Sequence, residues 1–299
     1  MFDTLLWWLT SPFDYAFMRR ALVAALALSL SAPILGVFLT LRGMSLMGEA
    51  LSHAILPGVA VAFMLAGFSL PLMMTGGVLA GLVTVALAGG VTQFSGLKED
   101  AAMASLFLVA MAAGVLIVSL SGNALDLGHV LFGTILTVDS RTLMLVAVAS
   151  SAIVLGVAVA FRALVVECLD PQFLTLQGRH AGWTHALFMM MVVLSLVVSF
   201  QTLGTLMAAG LMLLPAAAAR YWSQRLEGMI AIAVGLAVVS SVVGLLVSYH
   251  AGLPSGPAII LLAGLGYGAS VLLGIHGGLL PRHVRAASDM APGQAELRQ

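Results

Sequence analysis

Residues 43–63 read GMSLMGEALSHAILPGVAVAF, an apolar run carrying one carboxylate, one imidazole and one proline. About 20 helical residues at about 1.5 Å each cross the hydrocarbon of a bilayer, so the run is long enough to span. Glu49 and His53 lie four residues apart, which on a helix puts them on one face with Cβ atoms about 6 Å apart. Counted from Met44, His53 falls close to the membrane centre and Glu49 one turn nearer the cytoplasm. An ionisable group at that depth costs about 2.5–3.5 kcal/mol on insertion scales and is functional by default. Carboxylate plus imidazole is a usable ligand pair for a divalent transition ion. The spacing equally suits a buried Glu–His hydrogen bond that only fixes helix packing; the depth of both groups favours the ligand role. Two residues do not complete a metal shell, so the other ligands must come from another helix, the backbone or water. Pro57 has no N–H to return to the carbonyl of His53, which frees that oxygen for another partner.

The rest of the chain agrees with a membrane setting. Of 299 residues, 61% are hydrophobic and 8% charged, and mean hydropathy is +1.12. A soluble domain carries about a quarter charged residues, so a water-soluble enzyme is excluded. Twelve Lys and Arg balance twelve Asp and Glu, which leaves no basic footprint for nucleic acid. The single cysteine, Cys168, permits neither an internal disulfide nor a thiolate metal site. The fold class is therefore all-α, a polytopic transmembrane helical bundle of eight to nine spans.

Nine candidate spans are read at 17–41, 44–66, 70–94, 101–121, 142–165, 183–200, 202–219, 229–249 and 255–275. The seventh is short and suits a tilted or broken helix. Only Arg42 and Gly43 separate the first two, which requires a tight turn. Residues 1–16 form an amphipathic lead-in with Trp7 and Trp8 suited to the interface; residues 17–280 form the membrane domain; residues 281–299 form a disordered tail. With that tail cytoplasmic, nine of the twelve basic residues fall inside and three, Arg19, Arg20 and Arg141, outside, as the positive-inside tendency requires. The 164–182 connection then lies inside. Its Asp170-Pro171 pair reads as a helix start and Gly178 as its stop, giving a short helix along the cytoplasmic face.

Other polar residues give weaker signals. Asp126 and His129 in the outer 121–141 connection share a helical face and suit either an incoming ion or a turn cap. Gln201, at a span junction, suits a path lining. His185, His250 and His276 lie near span ends and read as polar anchors. Gly264 and Gly268 read as a small-residue packing face. No phosphate-loop motif G-x-x-x-x-G-K-[ST] occurs, so the chain has no ATP-hydrolysing site of its own, and no H-E-x-x-H occurs.

Six ordered blocks, RGMSLMGEALSHAILPGVAVA, GLKEDAAMASLF, LDLGHVLFGTIL, LDPQFLTLQG, QTLGTLMAAGLMLLPAAAAR and LPSGPAIILL, resemble the metal-cation ABC transporter permeases, importers of manganese, zinc or iron. The resemblance runs from Phe17 to Ile275. It implies a permease of the ABC importer type with no permanently bound cofactor, its cargo a divalent metal ion. It also implies a second permease chain, identical or related, in a dimer; cytoplasmic ATPase subunits that consume ATP; and an extracytoplasmic metal-binding protein that delivers the ion. The setting is the cytoplasmic membrane, with the C-terminus inside. The family's metal-coordinating acidic residue and histidine map to Glu49 and His53; Asp is usual where this chain has Glu49, and Glu reaches one methylene further. Asp170, Pro171 and Gly178 map to the segment that docks the ATPase. Three other readings remain at this stage. They are a gradient-driven carrier using Glu49 for protons, a siderophore or vitamin permease, and a membrane metalloenzyme, against which the missing second histidine argues.

Overall fold

The computed structural model describes residues 10–67, 69–120, 135–169 and 181–279, and within them every regular element is a helix. Ten α-helices follow one another: α1 (Ala16–Leu41), α2 (Ser45–Ala54), α3 (Leu56–Ala66), α4 (Leu70–Ser95), α5 (Glu99–Leu120), α6 (Ser140–Leu169), α7 (Ala181–Leu203), α8 (Thr205–Ala219), α9 (Leu226–Ala251) and α10 (Ser255–Leu273). Among the described residues, eight stretches are long and apolar enough to cross a bilayer, with α2 and α3 together forming one of them. The expected seventh span is the fifteen-residue α8. At about 1.5 Å per residue it is shorter than a usual span, yet it runs the height of α10: Met207 in its first turn stands against Gly256, and Tyr221, just past its end, accepts the His276 N–H at 2.9 Å. It is also an interior helix: Ala209, Leu211, Met212, Ala216, Ala218 and Ala219 are wholly buried.

The helices sort into two groups. α1 lies at the centre, packed against α6, α7, α8 and α9, and α10 closes on α8 and α9. Because the bilayer offers no hydrophobic drive between helices, shape and hydrogen bonds must hold this body together. The hydroxyls of Ser29 on α1 and Ser241 on α9 meet at 2.8 Å, and Ser31 Oγ donates to Ser150 Oγ on α6 at 3.3 Å. The second group is α3, α4 and α5, which pack on one another and meet the body through α2 and directly where α4 packs on α7, Gly77 and Gly81 standing against Val197 and Val193. α4 and α5 expose most of their apolar surface.

Three local devices set the path of the chain. Gly43 adopts φ +71°, and Met44 N–H returns to Leu39 O at 2.9 Å while Gly43 N–H returns to Thr40 O at 3.2 Å. This left-handed glycine cap makes the expected tight turn between α1 and α2. The second is Pro57 in the first turn of α3: the missing N–H divides the second span into α2 and α3 at Ile55. The third is Asp139, whose Oδ1 accepts the Thr142 hydroxyl at 2.5 Å and the Thr142 N–H at 2.8 Å at the start of α6. Those two hydrogen bonds, the hydroxyl's first, hold the Asp139 carboxyl below the usual carboxylate range.

α6 runs on to Leu169, four residues beyond the end expected for its span. The expected 164–182 connection is therefore shorter, and Glu167 belongs to the last turn of a helix. Asp170, Pro171, Gly178, Asp126, His129 and the tail 281–299 lie outside the described residues, as does most of the 1–16 lead-in; its end forms a 3-10 turn over Ser11–Asp14. Gly264 and Gly268 have no atom within 4 Å of where a Cβ would stand. Among the described residues, no other helix packs on that small-residue face.

Candidate functional site

Both ionisable residues of the second span lie on α2. His53 Nε2 stands 3.4 Å from Glu49 Oε1. Donors about 2.1 Å from a shared ion and separated by a tetrahedral angle stand about 3.4 Å apart, and at an octahedral edge about 3.0 Å. The observed separation therefore fits one ion between the two side chains with little adjustment. His53 is the more enclosed, its side chain 18% exposed against 49% for Glu49. The His53 ring lies 6.0 Å from the ring of Phe107 on α5, tilted by 37°. Ser52 Oγ donates to the backbone oxygen of Glu49 at 2.7 Å, so this hydroxyl braces the turn.

Nothing else among the described residues completes a shell. No group of three or more His, Cys, Asp or Glu side chains is placed there to hold a metal ion. Glu49 is half exposed on an apolar helix, and a carboxylate cannot rest against lipid tails, so its open side must meet water or another chain. Gln201, near the end of α7, buries an amide nitrogen that has no hydrogen-bond partner among the described residues. Among the described residues, no hydrogen bond joins it to the Glu49–His53 pair.

A second ionisable group escaped the sequence reading. Arg42, at the end of α1, places its NH2 group 2.7 Å from Glu167 Oε1 on α6, with both side chains about nine-tenths buried. The same Glu167 oxygen lies 3.2 Å from His185 Nδ1 on α7. The other ring nitrogen, Nε2, lies 3.1 Å from Glu99 Oε1 in the first turn of α5. Arg42 NH1 approaches His185 Nδ1 to 3.3 Å, and its guanidinium lies over the Phe188 ring, 4.4 Å from the centroid. Helix polarity explains part of this. Arg42 at a helix C-terminus and Glu99 at a helix N-terminus are each favoured, whereas Glu167 at a C-terminus is not and depends on Arg42. Arg42, Glu99, Glu167 and His185, with Lys98, Asp100 and Cys168, line a cavity of about 540 Å³. His185, expected as an interface anchor, is thus tied to two carboxylates. The readable signal was positional: all four charged or imidazole groups fall at span ends on one side of the orientation count.

Comparison with known proteins identifies relatives of the whole chain. A match to the ABC 3 transport family covers residues 14–274. The chain is 35% identical over 274 residues to the manganese transport system membrane protein MntC of Halalkalibacterium halodurans, covering 91% of this chain and 92% of that one. It is 32% identical over 252 residues to the manganese import system permease protein ScaB of Streptococcus gordonii, covering 84% and 89%. Among solved structures, PsaBC from Streptococcus pneumoniae in complex with Fab superposes with a TM-score of 0.82 at 28% identity, over 95% of this chain and 99% of that one.

Proposed function

Since this chain belongs to the ABC 3 transport family, we propose that it is the membrane-spanning permease subunit of an ATP-driven importer of a divalent transition-metal cation. Glu49 and His53 take the ion in transit. The observation that carries this reading is the pair itself: a carboxylate and an imidazole 3.4 Å apart on a broken membrane helix, in a chain resembling manganese permeases over nine-tenths of its length. Two ligands hold an ion weakly, which suits cargo that must also leave. The half-exposed Glu49 faces the water-filled route between this chain and a second permease chain, where the remaining ligands are water or the partner's groups.

The cycle is alternating access. ATPase subunits dock at 170–178 on the cytoplasmic face, and their closure shifts the helices around α2, which opens the pair first to one side and then to the other. An extracytoplasmic binding protein supplies the ion. The chain lies in the cytoplasmic membrane with its C-terminus inside. ATP chemistry belongs to the partner subunits. Metal and protons compete for the same nitrogen and oxygen atoms, so acidification weakens binding. Co-purification tests the assembly: the tagged chain should bring an ATPase subunit with it. A purified chain that transports metal in vesicles with no nucleotide or ATPase, driven by a proton gradient, would overturn the ATP-driven reading.

A further inference from the structure

The cluster at the other end of α5 has work to do that the transport reading leaves unassigned. α5 packs principally on α2, α3 and α4. Its ion pair to His185 ties its first turn to α7, and through Glu167 and Arg42 to α6 and α1. Glu99, Met103 and Phe107 follow at spacings of four, so they lie along one face of α5. Glu99 meets His185 at one end of that face, Met103 is wholly buried in the middle, and Phe107 meets His53 at the other end. The face therefore runs in two turns from the ion cluster to the candidate cation site. Positions 167 and 185 also flank 170–178, the stretch where the ATPase is read to dock. The cluster is incompletely satisfied among the described residues: Glu167 Oε2 and Asp100 Oδ1 are buried with no hydrogen-bond partner there. Groups left in that state favour rearrangement over a fixed lock.

We propose that Glu99, His185, Glu167 and Arg42 form a latch that pins the cytoplasmic end of α5 to the body and so closes the cytoplasmic approach to His53. Glu99 and His185 are its moving contact; Arg42 and Glu167 are its fixed seat. They are positioning residues, since none of them touches the candidate cation site. The inference rests on the reading of His53 as the cargo site, but its test needs no metal.

The test uses the full-length chain in inside-out membrane vesicles, with Cys168→Ser as background. A reporter thiol is introduced by Met103→Cys, and a membrane-impermeant maleimide is added from the cytoplasmic side. Glu99→Gln should raise the labelling rate at position 103 by roughly fivefold, the change in open population expected from losing one partly exposed ion pair. A control thiol introduced by Met229→Cys, buried in the separate core cluster of α1, α8 and α9, should label at an unchanged rate. His185→Gln reads the same contact from α7 and should give the same rise, which keeps the test alive if the Glu99 variant fails to reach the membrane. Unchanged labelling at 103 overturns the latch. An equal rise at 103 and 229 also overturns it, because the loosening is then general. A rise at 103 alone, in a chain whose His53→Ala variant still transports, would uphold the latch while removing the cargo site.

Discussion

Gly58→Ala tests how α3 is held, and with it the orientation of the broken second span. Gly58 on α3 and Gly76 on α4 meet backbone to backbone. A Cβ at Gly58 would stand 2.1 Å from Gly76 O and 2.6 Å from the Ala80 Cβ, and a Cβ at Gly76 would stand 2.4 Å from Gly58 O. Ordinary contact begins near 3.4 Å, so α3 and α4 must part by about 1.3 Å, the difference between 2.1 and 3.4 Å. The atom in the way is a carbonyl oxygen inside a helix and cannot swing aside. Overpacking of this kind costs about 1–3 kcal/mol, here at the upper end. Alanine regains about 1 kcal/mol of helix propensity over glycine. The clash wins, and the net loss is about 2 kcal/mol. Unfolding in mixed micelles, followed by loss of helical signal against denaturant, measures it. Gly89→Ala on the same α4, where nothing lies within 4 Å of the new Cβ, supplies the control and should be neutral or stabilising by up to about 1 kcal/mol. If Gly58→Ala proved as stable as the parent, the close α3–α4 contact would not exist as described.

Three further outcomes follow from other contacts. Glu167→Ala strands the buried Arg42 guanidinium and should destabilise the chain by about 3–5 kcal/mol; a loss within error of zero in the same unfolding assay would show that the pair is solvated. Ser29→Ala and Ser241→Ala remove a hydrogen bond between α1 and α9, and a double-mutant cycle should return a coupling of about 0.6–1.7 kcal/mol, whereas simple additivity would deny the contact. The Asp139 carboxyl is held below its ordinary value of 3.8 by Thr142, so it contributes stability that is whole above that pH and is lost as pH falls through the lowered native value. Asp139→Ala should therefore flatten the acid limb of stability between those two values, and an unchanged limb would refute the cap.

Much of the fold was legible because the bilayer imposes one rule. Backbone groups in oil must be paired within the helix, so apolar runs of sufficient length declare themselves. The short seventh helix was legible for the same reason. The position of α8 inside the body was not, since hydrophobicity alone does not separate lipid contact from protein contact. The Glu49–His53 pair was visible because both residues share one element and helical spacing fixes their distance. The latch was not, because Arg42, Glu99, Glu167 and His185 come from four helices, and their meeting depends on packing that spacing does not encode. Each one alone reads as an ordinary polar end of a span. Glu167 was further obscured because α6 continues past the point where its apolar character fades, which placed a buried ion-pair partner in an expected loop.

The claim on which the functional account depends is that Glu49 and His53 carry the cation. The direct measurement is the initial rate of manganese uptake by cells expressing His53→Ala or Glu49→Gln, compared with the parent at equal amounts of chain in the membrane. Losing a ligand should cost at least what losing an outer-shell partner costs, so uptake at limiting metal should fall by about tenfold or more in both variants. Parental uptake by either variant, with the assembly intact, would contradict the account.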